Sequence, residues 1–130
     1  MLYNSQRMVM YPHLNAAGIL FGGQAISWID EEVIIFAAQL LDTQRLATVK
    51  MSEVYFKNPA NIGDIVVIGT ELIKTGQTSI TVRCEIKNKT TNKIIVSVDE
   101  IVVVALDFNK RPTKHILADR DKIFPKIKGV

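Results

Sequence analysis

His13-Leu14-Asn15-Ala16-Ala17-Gly18-Ile19-Leu20-Phe21-Gly22-Gly23-Gln24-Ala25-Ile26-Ser27-Trp28-Ile29-Asp30-Glu31-Glu32 is the stretch on which the fold turns. A polar Asn15 sits in a loop punctuated by Pro12 and Gly18. The glycine pair Gly22 and Gly23 then opens a helix expected over 22–41. That helix is apolar on nearly every side, through Ala25, Ile26, Trp28, Ile29, Val33, Ile34, Ile35, Phe36, Ala37, Ala38, Leu40 and Leu41. Such a helix is expected to be buried. A carboxylate about two turns into it, Asp30, is costly there unless it is held or used. Asp30, Glu31 and Glu32 lie about 100° apart around the axis, so they cannot share one solvated stripe. At least one of them is expected to face a cleft or a subunit boundary.

Everything after the helix reads as strand. Residues 46–56 form one expected strand, with Ala47, Val49, Met51 and Tyr55 on one face. Residues 65–74 are rich in Ile and Val. Over 78–87 the alternation is strict, with Ile80, Val82, Cys84 and Ile86 against Thr81, Arg83, Glu85 and Lys87. Residues 94–108 carry a long β-branched run, and residues 5–11 suit a short leading strand. Turn-forming sequences separate these runs at 58–64, 75–77 and 88–93, and such short links favour antiparallel neighbours. One apolar helix and hairpin-linked strands give an α+β class, with a curved antiparallel sheet wrapped around the helix. A sheet of this size leaves part of the helix uncovered, so a dimer is expected.

At 130 residues the chain suits one domain. It has no uncharged apolar run long enough for a membrane span, and Met1–Tyr11 lacks the apolar core of a secretory signal. The single Cys84 excludes an internal disulfide framework and a multi-cysteine zinc site, so the cytoplasm is the expected compartment. The net charge is +3. Residues 109–130 carry Lys110, Arg111, Lys114, Arg120, Lys122, Lys126 and Lys128 against Asp119 and Asp121. The body is therefore slightly negative and the end basic. Such an end is either solvated or drawn to a polyanion. No recognition motif accompanies the charge, so nucleic acid is not an expected partner.

An ordered set of motifs carries a family resemblance over residues 8–113. It runs Asn15, Gly18, Phe21-Gly22-Gly23, Trp28, Asp30, then Val54-Tyr55-Phe56 with Pro59, and Gly63-Asp64 opening a strand. Gly76-Gln77-Thr78-Ser79 and Val104-Ala105-Leu106-Asp107 with Arg111-Pro112 complete it. Together these resemble the small hotdog-fold acyl-CoA thioesterases of the YciA type. The resemblance implies a hotdog domain over 1–113 with a basic tail over 114–130. It also implies a homodimer assembled into a hexamer as a trimer of dimers. The implied reaction is hydrolysis of an acyl-CoA to a free acid and CoA, with neither metal nor cofactor. Its catalytic asparagine and acid match Asn15 and Asp30. The family often has Arg where Gln77 stands, which removes a positive charge from a turn resembling a CoA-contacting element.

Thioester hydrolysis needs a base or nucleophile and stabilisation of an oxyanion. Asp30 suits the first role, against a structural carboxylate bonded to backbone or Ser27. Asn15 suits positioning of water or the thioester, against a simple Asx turn. The amides of Gly22 and Gly23 at the helix N-terminus are the oxyanion-hole candidates, against a pair needed only for packing. Glu31 and Glu32 are expected to be structural or exposed. Lys57, Gly76, Gln77, Thr78, Ser79 and Arg111 are the candidate CoA contacts, against turn and surface roles. Cys84 is expected in the core, and His115 is expected to have no particular role. His13 offers an alternative as the base of a hydroxyacyl-thioester dehydratase. A non-catalytic acyl-CoA sensor is the other alternative.

Overall fold

The expected helix forms over the expected residues. In this computed structural model, which describes residues 1–118, α1 spans Gly22–Leu41. Phe21 is still extended, at φ −66° and ψ 132°, so the helix starts after it. Asp42 ends it in the left-handed region at φ 51°, its amide bonded to the Ala38 carbonyl. The buried residues, Ala25, Trp28, Ile29, Val33, Ala37 and Leu41, follow helical spacing on one face. Burial on every side does not occur in the single chain. Ile35 is 49% exposed, and Ile26, Ile34 and Phe36 are only partly covered.

The strands are β1 (Leu2–Met8), β2 (Leu46–Met51), β3 (Val54–Phe56), β4 (Ile65–Thr75), β5 (Ser79–Asn88) and β6 (Ile94–Ala105). They make one curved, unclosed antiparallel sheet ordered β1-β4-β5-β6-β2, with β3 also paired to β6. The alternation in β5 is borne out. Ile80, Val82, Cys84 and Ile86 are fully buried and form the core with Ile29 and Val33 of the helix. On the other face, the Tyr3 hydroxyl donates to the buried Glu85 carboxylate.

Two expected strands differ. The run over 46–56 splits into β2 and β3. The register against β6 shifts between Thr48 and Lys50, and the bulge at Val49 breaks the alternation. Val49 is consequently exposed, at 59%, and Tyr55, on the separate β3, is exposed at 48%. The leading strand lies at 2–8, not 5–11. Pro12 falls in a short 3-10 turn, Tyr11–His13, closed by the His13 amide on the Met10 carbonyl. The unusual length of β6 has a cause: one end pairs with β2 and the other with β3.

The chain does not leave the domain after Thr113. Asp107 Oδ1 accepts the Asn109 and Arg111 amides in a turn, and the Thr113 amide returns to the Ala105 carbonyl. Residues 115–118 then lie on the β4–β5 turn. His115, expected to be of no account, is only 8% exposed. Its Nδ1 accepts the Leu117 amide at 3.1 Å, so Nε2 carries the proton it donates to the Ser79 carbonyl at 3.0 Å. The rest of the expected basic end, including Arg120, Lys122, Lys126 and Lys128, lies outside the described residues.

Candidate active site

Asn15 is fixed by the loop that it shapes. Its Oδ1 accepts the Ala17 amide at 2.9 Å and the Ile19 amide at 3.3 Å, and its own amide donates to the Ile19 carbonyl. Both Oδ1 partners are donors, which fixes the orientation of the carboxamide. Nδ2 is left as the group the loop does not use. The Asx turn and a donor role are therefore compatible in one side chain.

The loop delivers Asn15 to the start of α1. The Phe21 amide bonds the His13 carbonyl at 2.9 Å, and no side chain caps the helix. The amides of Gly22, Gly23 and Gln24 lack intrahelical acceptors by the geometry of a helix start. Gly22 lies under the Phe56 ring, where an added Cβ would meet it at 3.2 Å. Asn15, Ile19, Leu20, Gly22, Phe56, Lys57 and the 58–60 turn wall one cleft of about 470 Å³. Three of the expected site residues, Asn15, Gly22 and Lys57, thus come together. Gly23 does not line this cleft; an added Cβ there would meet the Phe21 ring at 2.7 Å.

Asp30 is elsewhere. It is partly buried, and its Oδ1 accepts the Thr48 hydroxyl at 2.6 Å. With Glu31, Ile34 and Ile35 it lines a separate hollow that shares no residue with the Asn15 cleft. Thr48 escaped the sequence reading because it sits at the β2 bulge, where the face of each residue cannot be counted from the pattern. The other two acids share one partner: Arg7 Nη2 donates to the more buried Glu32 at 3.0 Å and to the exposed Glu31 at 3.4 Å. Arg7 also lies 5.5 Å from the Trp28 ring centre.

His13 packs edge-on to Trp28 with 4.9 Å between ring centres, and its Nδ1 accepts the Met10 amide at 2.9 Å. That nitrogen has no lone pair left for a substrate, and the other ring nitrogen then carries the proton. This arrangement does not favour the dehydratase base. Cys84 is fully buried. Burial, reinforced by the charges of Glu32 and Glu85, pushes its thiol up to about 12. It is a core residue and no nucleophile.

The remaining candidates gather at the other end of β5. The Gly76 amide bonds the Ser79 carbonyl, and Thr78 accepts the Ala105 amide. Gln77 Nε2 donates to the Ala118 carbonyl at 3.1 Å, while the Gln77 carbonyl accepts the His115 amide. The Gln77 side chain is therefore engaged by the chain's own C-terminal segment. Arg111 is exposed, in the turn held by Asp107.

Residues 17–95, more than half of the chain, match the family model described as the thioesterase superfamily. The chain belongs to the thioesterase superfamily. An uncharacterized acyl-CoA thioester hydrolase of Buchnera aphidicola subsp. Schizaphis graminum is 35% identical over 79 residues, which cover 61% of this chain and 58% of that protein. The chain spans little more than half the length of the curated relatives it matches. Among solved structures, a hexameric thioesterase of Yersinia pestis aligns with a TM-score of 0.79 and 28% identity, covering 85% of this chain and 92% of that one. A hexameric hotdog fold thioesterase of Campylobacter jejuni aligns at 0.74 with 27% identity, over 85% and 87% of the two chains. This superfamily member accordingly has the hotdog fold, as its motif order implied. No helix among its described residues is long and apolar enough to cross a membrane.

Proposed function

We propose that this chain is an acyl-CoA thioester hydrolase whose site is completed by a second copy of itself. One observation carries the reading: Asn15 and the uncapped helix start line one cleft, and Asp30 lines another with no residue in common. Hydrolysis needs both a base and an oxyanion stabiliser at one carbonyl. A two-fold pairing that sets the Asn15 cleft of one protomer against Asp30 of its mate supplies both, twice. The apolar groups exposed near these positions, Phe21, Ile35, Val49, Tyr55 and Phe56, support such a pairing.

In this site the thioester oxygen lies against Asn15 Nδ2 and the Gly22 amide, the one member of the glycine pair that lines the cleft. Thr48 holds one Asp30 oxygen, leaving the other to take a proton from water. The water oxygen bonds to the carbonyl carbon, and the oxyanion collapses with cleavage of the C–S bond. The CoA sulfur leaves with the proton from Asp30, and the acid is released. The dimer is further proposed to assemble into a hexamer, on the likeness to the hexameric Yersinia pestis thioesterase.

The test is thiol release from a panel of straight-chain acyl-CoAs by chelator-treated protein. Activity is expected without added metal. Asp30→Asn keeps the shape and removes the base, and it should lower the rate by about a hundredfold to ten-thousandfold. Glu31→Gln, one residue away and exposed, should do far less. Equal, mild effects from the two substitutions would overturn the assignment of Asp30.

A further inference from the structure

Asp30 leaves α1 on one side, and a single residue of β1 grips the helix on the other. Arg7 Nη2 donates to Glu32 at 3.0 Å and to Glu31 at 3.4 Å, and Nη1 donates to Ser5 Oγ at 3.2 Å. Its Cζ stands 5.5 Å from the centre of the Trp28 ring, within cation–π range. One guanidinium therefore meets α1 at Trp28, Glu31 and Glu32, the positions two before, one after and two after Asp30. The grip is largely shielded from water. The side chains of Arg7 and Glu32 are 24% and 13% exposed, and Trp28 is buried with His13 edge-on against it at 4.9 Å.

The placement around the helix axis gives this contact a consequence. At 100° per residue, Trp28 and Glu32 lie within about 40° of one another, while Asp30 lies about 160° from Trp28. On its own side Asp30 accepts the hydroxyl of Thr48, in β2, at 2.6 Å. β1 and β2 are the two ends of the sheet path β1-β4-β5-β6-β2. Directional polar contacts thus tie the helix to both outer strands, by Arg7 on one flank and through Asp30 itself on the other. The apolar burial between them is non-directional and selects a face of the helix rather than an angle. A part-buried, charge-assisted pair fixes an angle.

We propose that Arg7 is a positioning residue for Asp30: by holding Trp28 and Glu32 it sets the rotation of α1, and so the direction in which the Asp30 carboxylate faces. The proposal rests on the hydrolase reading above, in which that carboxylate must meet a water aimed at a carbonyl on the mate. Arg7 itself lines neither the Asn15 cleft nor the Asp30 hollow. Its loss should therefore act on the chemical step and spare substrate binding. A lysine keeps the charge but cannot face the Trp28 ring and fork toward Glu32 together.

The experiment measures kcat and KM for thiol release from one acyl-CoA by the wild type, Arg7→Gln, Arg7→Lys, Asp30→Asn and the double variant Arg7→Gln/Asp30→Asn. Arg7→Gln should lower kcat about tenfold to a hundredfold with KM within about twofold, as for a misplaced catalytic group. Arg7→Lys leaves no acid without a counter-charge; it should fall between the two, and it serves in place of Arg7→Gln should that variant not fold. The double variant separates positioning from mere support of the fold. With the base gone its orientation no longer matters, so Arg7→Gln should cost almost nothing further on the Asp30→Asn background. Equal losses on both backgrounds would overturn the proposal, as would a rise in KM alone. Trp28 is the single tryptophan of the chain, so its fluorescence reports the contact independently of activity. Arg7→Gln should move its emission and raise its quenching by acrylamide; no change in either would place Arg7 off Trp28 and overturn the proposal too. Hydrolysis with a kcat indifferent to Arg7 would leave the hydrolase reading standing and end this one. A wild type that releases no thiol, whatever its fluorescence, would end both.

Discussion

At the scale of single residues, the decisive question is whether Asn15 does more than shape its loop. Its two accepted hydrogen bonds are those of an Asx turn, and any acceptor of the same shape would keep them. Asn15→Asp retains both and replaces the Nδ2 donor with an oxygen. The loop should stand, with a melting temperature close to wild type, while kcat falls by about a hundredfold to a thousandfold, as when an oxyanion donor is lost. An Asn15→Asp protein that hydrolyses normally would reduce Asn15 to a turn residue. Cys84 bears a different prediction. Its thiol is raised to about 12 by burial first and by the Glu32 and Glu85 charges second. The native protein should therefore not react with a disulfide reagent at neutral pH, and should show one thiol once unfolded. Tyr3, raised to about 12 by burial and by its hydrogen bond to Glu85, behaves alike. Both groups hold their protons more tightly folded than unfolded. Their contribution is full below their ordinary pKa values, about 9 for the thiol and 10 for the phenol, and is lost as pH rises toward 12. A denaturation midpoint flat from pH 9 to 12 would contradict this.

At the scale of elements, the sequence was legible where one local signal decides the outcome. The helix 22–41 had a glycine start, a full apolar period and no breaker, and it forms over those residues. The β5 alternation was equally plain, because one face meets the helix and the other does not. Reading failed where a partner element decides. Val49 looks like a core position in an unbroken strand, yet the bulge against β6 turns it out and sets Thr48 beside Asp30. The divergence of Asn15 and Asp30 into separate clefts is likewise a property of packing, not of spacing. His115 has no periodic signal at all, since its place depends on two carbonyl and amide groups far away or outside any regular element. It ties the C-terminal segment to the β4–β5 turn through Ser79 and Leu117. His115→Ala removes a buried ring and both bonds, so it should cost about 2–3 kcal/mol of stability by denaturant titration. A loss below about 0.5 kcal/mol would mean that the segment is held without it.

At the scale of the whole molecule, a single chain leaves two separate clefts and a helix covered on one face only. In the proposed reaction the Asn15 cleft supplies the oxyanion stabiliser and the Asp30 hollow supplies the base, and the two share no lining residue. Ile35, Phe56 and Val49 stay in water, at 49%, 58% and 59% exposure. A two-fold pairing answers both deficits at once, and it can be tested by function alone. Asn15→Ala and Asp30→Ala are prepared separately, and each should be inactive. The two are then co-expressed at equal levels, with pairing checked by native mass spectrometry on distinguishable tags. Random association makes about half of the dimers mixed. Each mixed dimer holds one site with both residues intact and one site with both replaced, so activity should return to about a quarter of wild type. If Asn15 and Asp30 of one chain served the same site, every site in every pairing would keep one lesion and the mixture would stay inactive. Recovery therefore depends on the residues coming from different protomers. Continued inactivity of demonstrably mixed dimers would place the whole site within one chain and require a rearrangement that joins its two clefts.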